Sequence, residues 1–349
     1  MSVLAVTGGA GFIGSHFCEL AMVRGHVVRC IDKLTYAGSR SNIAALEGND
    51  RFSFLQADIG DAPSMRAALR GADALVNFAA ETHVDRSILD PAHFATTDVL
   101  GLAVLLGVAR ELGVRTTVQV STDEVYGPVP EGEANEDAPL RPASPYAAAK
   151  AGGDLLAQSF HRTYGMDVRV TRGCNALGPR QHPEKLVALM ITRALRKMSL
   201  PVYGDGRQVR EWLWVGDHAS AVLSVLERGV PGDVYNVGSG ERVENRALVE
   251  SVLDRLGASR SLISSVEDRP GHDRRYALDS SRLRGLGWRP SRTLQAALNE
   301  TVDWYRAHQE WWQRREDESR EYFQAMYDQR ERTLERLRGQ RGGSQHSGM

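Results

Sequence analysis

The chain is short of cysteine, of net charge and of long apolar runs, and each shortage removes a class of function. Only Cys18, Cys30 and Cys174 occur. They form no C-x-x-C pair and no metal-ligand spacing, so no cysteine-held metal and no disulfide framework is expected. Three scattered thiols read as small buried apolar residues in a reducing, cytoplasmic setting. Formal net charge is -1 over 349 residues. No global field therefore draws the chain to nucleic acid or to an anionic membrane. No stretch reads as the ~20 apolar residues of a membrane helix. Residues 3–6 are already an apolar run leading to a glycine turn, which is not a signal-peptide pattern.

What is present is an α/β rhythm. Short, nearly continuous apolar runs fall at residues 3–6, 27–31, 52–55, 74–78, 117–120 and 168–171. Such runs suit parallel strands covered on both faces. Helical patterns lie between them, among them residues 14–24 closed by Gly25 and 97–112 closed by Gly113. The alternation predicts a Rossmann-like, doubly wound parallel sheet over residues 1–171. After Arg172 the signals turn irregular, which predicts a smaller substrate-binding domain over 172–312, lying on the sheet's carboxyl edge with some segments returning to the sheet. Residues 313–349 are Arg/Glu-rich and read as a solvated helix with salt bridges. Phe323, Tyr327, Leu334 and Leu337 could share one face of it, and packing in an oligomer is the alternative. Residues 342–349 read as disordered.

Two motifs carry chemistry. Gly8, Gly11 and Gly14 follow the first strand and open the first helix. Without side chains there, a backbone can approach a pyrophosphate held by the helix N-terminus. Asp32 ends the second strand, at the ~20-residue offset of a ribose ligand. A carboxylate there repels a 2′-phosphate, so NAD is predicted over NADP. Lys33 partly offsets that repulsion. Asp58, with Ile59, reads equally as an adenine neighbour or a helix N-cap. The second motif is Tyr146-x-x-x-Lys150 with Thr122 upstream. Positions four apart share a helix face, and a Lys ammonium lowers a Tyr pKa towards use as a base. Asp123 and Glu124 stand beside Thr122 at a strand end, where ligands of such sheets bind. Two adjacent acids beside an oxidoreductase set suggest an oxidation coupled to an elimination. The plain alternative is a pair of solvated loop acids.

The runs Thr7-Gly8-Gly9-Ala10-Gly11-Phe12-Ile13-Gly14, Asp32-Lys33-Leu34-Thr35-Tyr36-Ala37-Gly38 and Ala79-Ala80-Glu81-Thr82-His83-Val84-Asp85-Arg86-Ser87 are family-specific in kind. So are Ser121-Thr122-Asp123-Glu124-Val125-Tyr126-Gly127, Pro183-Glu184-Lys185-Leu186 and Asp268-Arg269-Pro270-Gly271-His272. Together they resemble the extended short-chain dehydrogenase/reductases that act on nucleotide sugars. Within that group they resemble the NDP-glucose 4,6-dehydratases, most often dTDP-glucose enzymes, as far as about residue 312.

The resemblance implies a lyase. Tyr146 would take the sugar 4-hydroxyl proton, Thr122 would bond the same oxygen, and Lys150 would support both. Glu124 would remove the C5 proton, Asp123 would protonate the departing 6-hydroxyl, and hydride taken up at C4 would return at C6. The product would be a 4-keto-6-deoxy sugar nucleotide. The resemblance places NAD against Gly8, Gly11, Phe12, Ile13 and Gly14, against Asp32, Lys33 and Thr35, against Asp58, Ile59, Ala79 and Ala80, and against Tyr146 and Lys150. It places the nucleotide sugar against Ser87, Asn175, Glu184 and Lys185, and against Arg210, Asn245, Arg269 and His272. Read alone, Asn245 could instead cap a helix and Glu184-Lys185 could be a surface pair. The resemblance further implies a homodimer paired through helices at 97–112 and 146–164.

Departures from the family pattern are Asp98 in place of Asn, Ala176, Leu177 and Arg180 after Asn175, and Trp214. They leave the base and the rest of the sugar open. An NDP-sugar 4-epimerase or decarboxylase is the runner-up, and a non-catalytic NAD-binding regulator is a third reading.

Overall fold

The computed structural model describes residues 1–269 and 271–328. A seven-stranded sheet forms its centre. In spatial order the strands are Val234–Val237, Asp167–Gly173, Thr116–Thr122, Ala74–Asn77, Val3–Thr7, Val27–Asp32 and Phe52–Gln56. All neighbours run parallel. The order reverses between Val3–Thr7 and Ala74–Asn77, and the crevice at their carboxyl ends is where a ligand fits such a sheet. The six anticipated strands are all present. The fifth and sixth run on to Thr122 and Gly173, which carries Thr122 to the crevice rim.

One face of the sheet is covered by helices Phe12–Val23 and Val215–Arg228, the other by Ala62–Leu69, Leu102–Glu111 and Pro145–Tyr164. Strand Val234–Val237 and helix Val215–Arg228 thus return to the sheet from beyond residue 172. A second core holds Leu189, Ile191, Trp212, Leu248, Val252, Leu298 and Tyr305. It lies among helices Leu186–Leu195, Asn245–Leu256 and Leu294–Ala307 and two small sheets.

Two expectations change. Helical stretch Pro91–Glu111 is, after all, long and apolar enough to cross a bilayer. Here it packs on the sheet's helical layer, and it is interrupted by a π-helical turn, Thr96–Gly101, around buried Asp98. The charged segment beyond residue 308 is not simply solvated. Trp312 is 1% exposed and donates to the Tyr305 carbonyl at 2.9 Å. Trp311 and Arg315 reach Ser41 Oγ and Ser39 Oγ at 3.1 and 2.7 Å. Helix Gln309–Glu318 therefore closes the second core and braces the loop after strand Val27–Asp32. Phe323 packs on the same core. Leu334, Leu337 and residues 342–349 lie outside the described residues, as does the Tyr327 side chain.

Candidate active site

The crevice floor is built by glycine. At Gly8, φ is +68° and an added Cβ would stand 2.5 Å from the Ala79 amide nitrogen. A Cβ at Gly14 would stand 2.2 Å from the Gly8 carbonyl. Gly11 holds the N-cap of helix Phe12–Val23 with no capping side chain, leaving its first amides for a ligand. Above this floor is a cavity of about 320 Å³, inside the size range of small-molecule sites. Every residue anticipated for the cofactor lines it, from Gly8 to Ala80 together with Tyr146 and Lys150.

Asp32 sits at the strand end with one oxygen accepting from the Ala10 amide at 3.0 Å and the other from Leu34 at 2.8 Å. Burial pushes its carboxyl up and these two amides oppose that. Lys33 does not face the crevice alone, since its ammonium pairs with Asp58 at 2.7 Å. Asp58 is not a helix cap: Asp61 holds that position, and Asp58 accepts from the Gly60 amide instead.

Thr122, Asp123, Glu124, Tyr146 and Lys150 meet at the inner end of the same cavity. Ser144 caps helix Pro145–Tyr164 by accepting from the Ala147 amide, with Pro145 in its first turn, so Tyr146 and Lys150 come off its first turns. The Thr122 hydroxyl faces the Tyr146 hydroxyl in this cavity and favours its ionised form. Thr122 Oγ1 donates to Asp123 Oδ1 at 3.2 Å and accepts from the Glu124 amide at 3.3 Å. The acids are not solvated loop residues. Asp123 is 2% exposed, and burial, then the Glu124 charge, push its carboxyl well above the ordinary range. Burial raises Glu124 too, but Arg269, Arg210 and Lys185 all oppose the rise. Adjacent acids thus have unequal surroundings, one favouring the neutral form and one supported as an anion.

Lys150 shares its charge with an acid that the helix pattern does not show. Lys150 Nζ donates to the Val120 carbonyl at 3.0 Å and stands 3.6 Å from Asp98 Oδ1. The Tyr146 hydroxyl is pushed up by burial first, then by Glu124 and Asp98. Asp98 offsets the lysine charge, so a further cation is needed to bring the phenol into range. Asp98 itself rises to about 6 through burial, against Lys150 and the Glu81 amide, with Glu81 adding to the rise. A raised carboxyl pKa stabilises the fold below the unfolded value near ~4, and that stability is lost as pH climbs through about 6. Asp98→Asn should therefore gain on the parent between pH 4 and pH 7, by up to about 3 kcal/mol. Urea unfolding at both pH values checks it, and a constant difference would refute the shift.

A second chamber of about 170 Å³ adjoins the first, sharing Glu124, Tyr146, Asn175, Lys185, Leu186 and Trp212. Asn175, Glu184, Lys185, Arg210, Asn245, Arg269 and His272 all line it. Asn245 is not a cap, because Glu244 holds that position and Asn245 Oδ1 is buried with no hydrogen-bond partner. Glu184 and Lys185 are not a surface pair. Glu184 is 1% exposed and bonds Arg86 at 2.9 Å, while Lys185 donates to Thr82 Oγ1 at 2.7 Å. Arg210 lies over the Tyr276 ring, 4.3 Å from its centroid.

Ser87 is the anticipated residue that the fold does not bring to the chamber. It is fully buried and donates to the Val84 carbonyl in its own helix. Its neighbours His83 and Asp85 line the wall instead. Arg180 is engaged by Glu19 and the Asn42 carbonyl, and Trp214 lines neither chamber. Asp85 and Tyr203, joined at 2.9 Å, escaped the sequence reading. Asp85 stood inside a quoted motif, whereas Tyr203 had no local signal.

Among protein families, the model described as GDP-mannose 4,6 dehydratase matches residues 5–301. A dTDP-glucose 4,6-dehydratase of Streptomyces griseus is 49% identical over 315 residues, spanning 89% of this chain and 96% of that one. The solved dTDP-glucose 4,6-dehydratase DesIV of Streptomyces venezuelae, with NAD bound, superposes with a TM-score of 0.88 at 48% identity, over 90% of this chain and 99% of that one. A UDP-glucose 4-epimerase of Thermotoga maritima superposes at 0.82 with 30% identity, over 87% and 99%. The chain belongs to the GDP-mannose 4,6 dehydratase family.

Proposed function

We propose that this chain is an NAD-dependent hydro-lyase that converts an NDP-glucose, with dTDP-glucose the first candidate, to its 4-keto-6-deoxy form. The observation that carries the reading is the pair Asp123 and Glu124, the first buried and the second half-buried, adjacent with unequal surroundings next to Tyr146. The cofactor crevice fits NAD, since Gly8 and Gly14 leave space that a Cβ would fill and Asp32 stands at the ribose position. Held there, NAD would supply the hydride acceptor for oxidation at C4 and the hydride for reduction at C6.

The residues divide the remaining work. Tyr146 takes the 4-hydroxyl proton, with Thr122 bonded to the same oxygen. Glu124 takes the C5 proton, which the 4-ketone has made acidic, and later returns it. Asp123 protonates the leaving 6-hydroxyl. Lys185, Arg210 and Arg269 face the diphosphate, where a planar guanidinium gives paired, charge-assisted bonds. Asn175, Asn245, Glu184 and His272 complete the wall. The direct test is incubation with a panel of nucleotide hexoses, seeking a product lighter by one water. A 4-epimerase would give an isomer of unchanged mass, and a non-catalytic NAD binder would give no product.

Asp32 sets cofactor choice. Asp32→Asn keeps the shape but loses the charge, and NAD should bind about tenfold more weakly, with less rejection of NADP. Titration of both cofactors measures it, and an unchanged NAD/NADP ratio would remove Asp32 from that role. A second copy pairs through helices Leu102–Glu111 and Pro145–Tyr164. Leu155, and Leu100 just ahead of the first, support this by standing 57% and 63% exposed. Sedimentation equilibrium tests the dimer. A reducing, cytoplasmic setting is the reading that suits the sparse, buried thiols Cys18, Cys30 and Cys174.

A further inference from the structure

The dehydration chemistry leaves a proton imbalance within each cycle, and the inference drawn from it rests on that reading. Tyr146 gains the 4-hydroxyl proton. Asp123 loses one to the departing water. Glu124 takes the C5 proton and gives it back, so it ends unchanged. One turnover therefore leaves Tyr146 protonated and Asp123 ionised, the reverse of the starting state. Before the next substrate reacts, one proton must pass from Tyr146 to Asp123.

We propose that the Thr122 hydroxyl returns that proton directly, as a relay between Tyr146 and Asp123. Thr122 Oγ1 stands between the two groups: it donates to Asp123 Oδ1 at 3.2 Å on one side, and on the other it faces the Tyr146 hydroxyl in the same cavity and favours its ionised form. Its orientation is fixed from a third direction. The Glu124 amide donates to the same oxygen at 3.3 Å, and the Thr122 hydrogen is given to Asp123. The transfer balances as two coupled moves. The Tyr146 O–H bond breaks as a new O–H bond forms on Thr122. The original Thr122 O–H bond breaks as one forms on Asp123. Thr122 ends neutral, Tyr146 is a phenolate again and Asp123 a carboxylic acid.

The surroundings favour this route over bulk water. Asp123 is 2% exposed and Oδ2 is buried without a hydrogen-bond partner among the described residues, so the Thr122 hydroxyl on Oδ1 is its route to a proton source. Burial and the Glu124 charge both disfavour an ion left on Asp123. Thr122 is also the N-cap of the short turn Asp123–Tyr126, so its side chain is held by the backbone it caps.

The test separates the first turnover from later ones by rapid quench. Thr122→Val removes the hydroxyl and keeps the shape. It should form about one product per site and then continue at least ~10-fold more slowly than its own first turnover. That slow rate should rise with added formate or imidazole, which carry protons from solvent. Thr122→Ser retains the hydroxyl and should show neither the burst nor the buffer response. Equal slowing of first and later turnovers in Thr122→Val would confine Thr122 to holding the substrate oxygen and overturn the relay. The parent enzyme gives an independent measurement. Its steady rate should not depend on buffer concentration, and a rate that climbs with buffer overturns the relay whatever the variant does. Absence of dehydrated product from the parent overturns the dehydration reading and the relay together, whereas product formation without a burst in Thr122→Val overturns the relay alone.

Discussion

Glu124→Gln should halt the cycle after oxidation. The amide keeps the size of the side chain but cannot take the C5 proton, and loss of a positioned base typically costs ~10²–10⁴ in rate. Oxidation at C4 needs only Tyr146, Thr122 and Lys150, so reduced cofactor should accumulate on the enzyme and be visible by its absorbance. Asp123→Asn should fail differently. Glu124 would still remove and return the C5 proton, so that position should exchange with deuterated solvent although water leaves slowly. The two variants are therefore told apart by mass spectrometry of recovered sugar: no C5 label with Glu124→Gln, label with Asp123→Asn. Equal labelling in both would overturn the assignment of base and acid. The pH dependence has a stated sign. Glu124 must be ionised to act, and burial raises its pKa. Activity should fall as pH drops through that raised value. Weakening the cation cluster that supports the anion, for example by Arg269→Met, should move this acid limb to higher pH.

Fold and chemistry were legible wherever one local element encodes them. The glycine turn needs only a strand, three small residues and a helix start, all contiguous. Tyr146 and Lys150 need one helical turn, and Thr122 to Glu124 need one strand end. The substrate wall is different. Asp85, Lys185, Tyr203, Arg210, Asn245 and Arg269 come from separate segments that tertiary packing brings together around one chamber. No spacing rule connects them, so only resemblance pointed to most of them and Tyr203 was missed. Ser87 shows the opposite error, since it lies in a diagnostic run yet turns inward to bond Val84. The acid beside Lys150 escaped for a related reason. Tyr-x-x-x-Lys is a local pattern, but the partner that cancels Lys150 is Asp98, on another helix. The same limit explains the helix beyond residue 308, whose Arg/Glu surface pattern concealed Trp312, a core residue of a distant segment.

Arg172→Met should unfold the protein more easily than any surface change, and its position explains why the sheet and the later chain are not separable units. Residues 171 and 172 looked like a boundary because regular patterning ends there. In the fold, Arg172 lies in strand Asp167–Gly173 and is 3% exposed. It grips fully buried Asp154 with two bonds, at 2.8 and 3.0 Å, and Gln158 donates to the same carboxylate. Its remaining nitrogen donates to the Tyr126 hydroxyl and the Glu136 carbonyl. Tyr126 donates on to Asn236, in the strand that returns from the later half of the chain. One network thus joins the helix bearing Tyr146 and Lys150, the turn after Glu124 and strand Val234–Val237. Removing the guanidinium leaves a carboxylate in the interior with its main partner gone, a loss of about 3–5 kcal/mol. Replacing both members, Arg172→Met with Asp154→Leu, removes the stranded charge and should recover much of that loss, because a buried ion pair exchanged for apolar groups is often near neutral. Denaturant midpoints of the two single variants and the double variant measure the coupling. If Arg172→Met costs under about 1 kcal/mol, the pair is not what couples the catalytic helix to the returning strand.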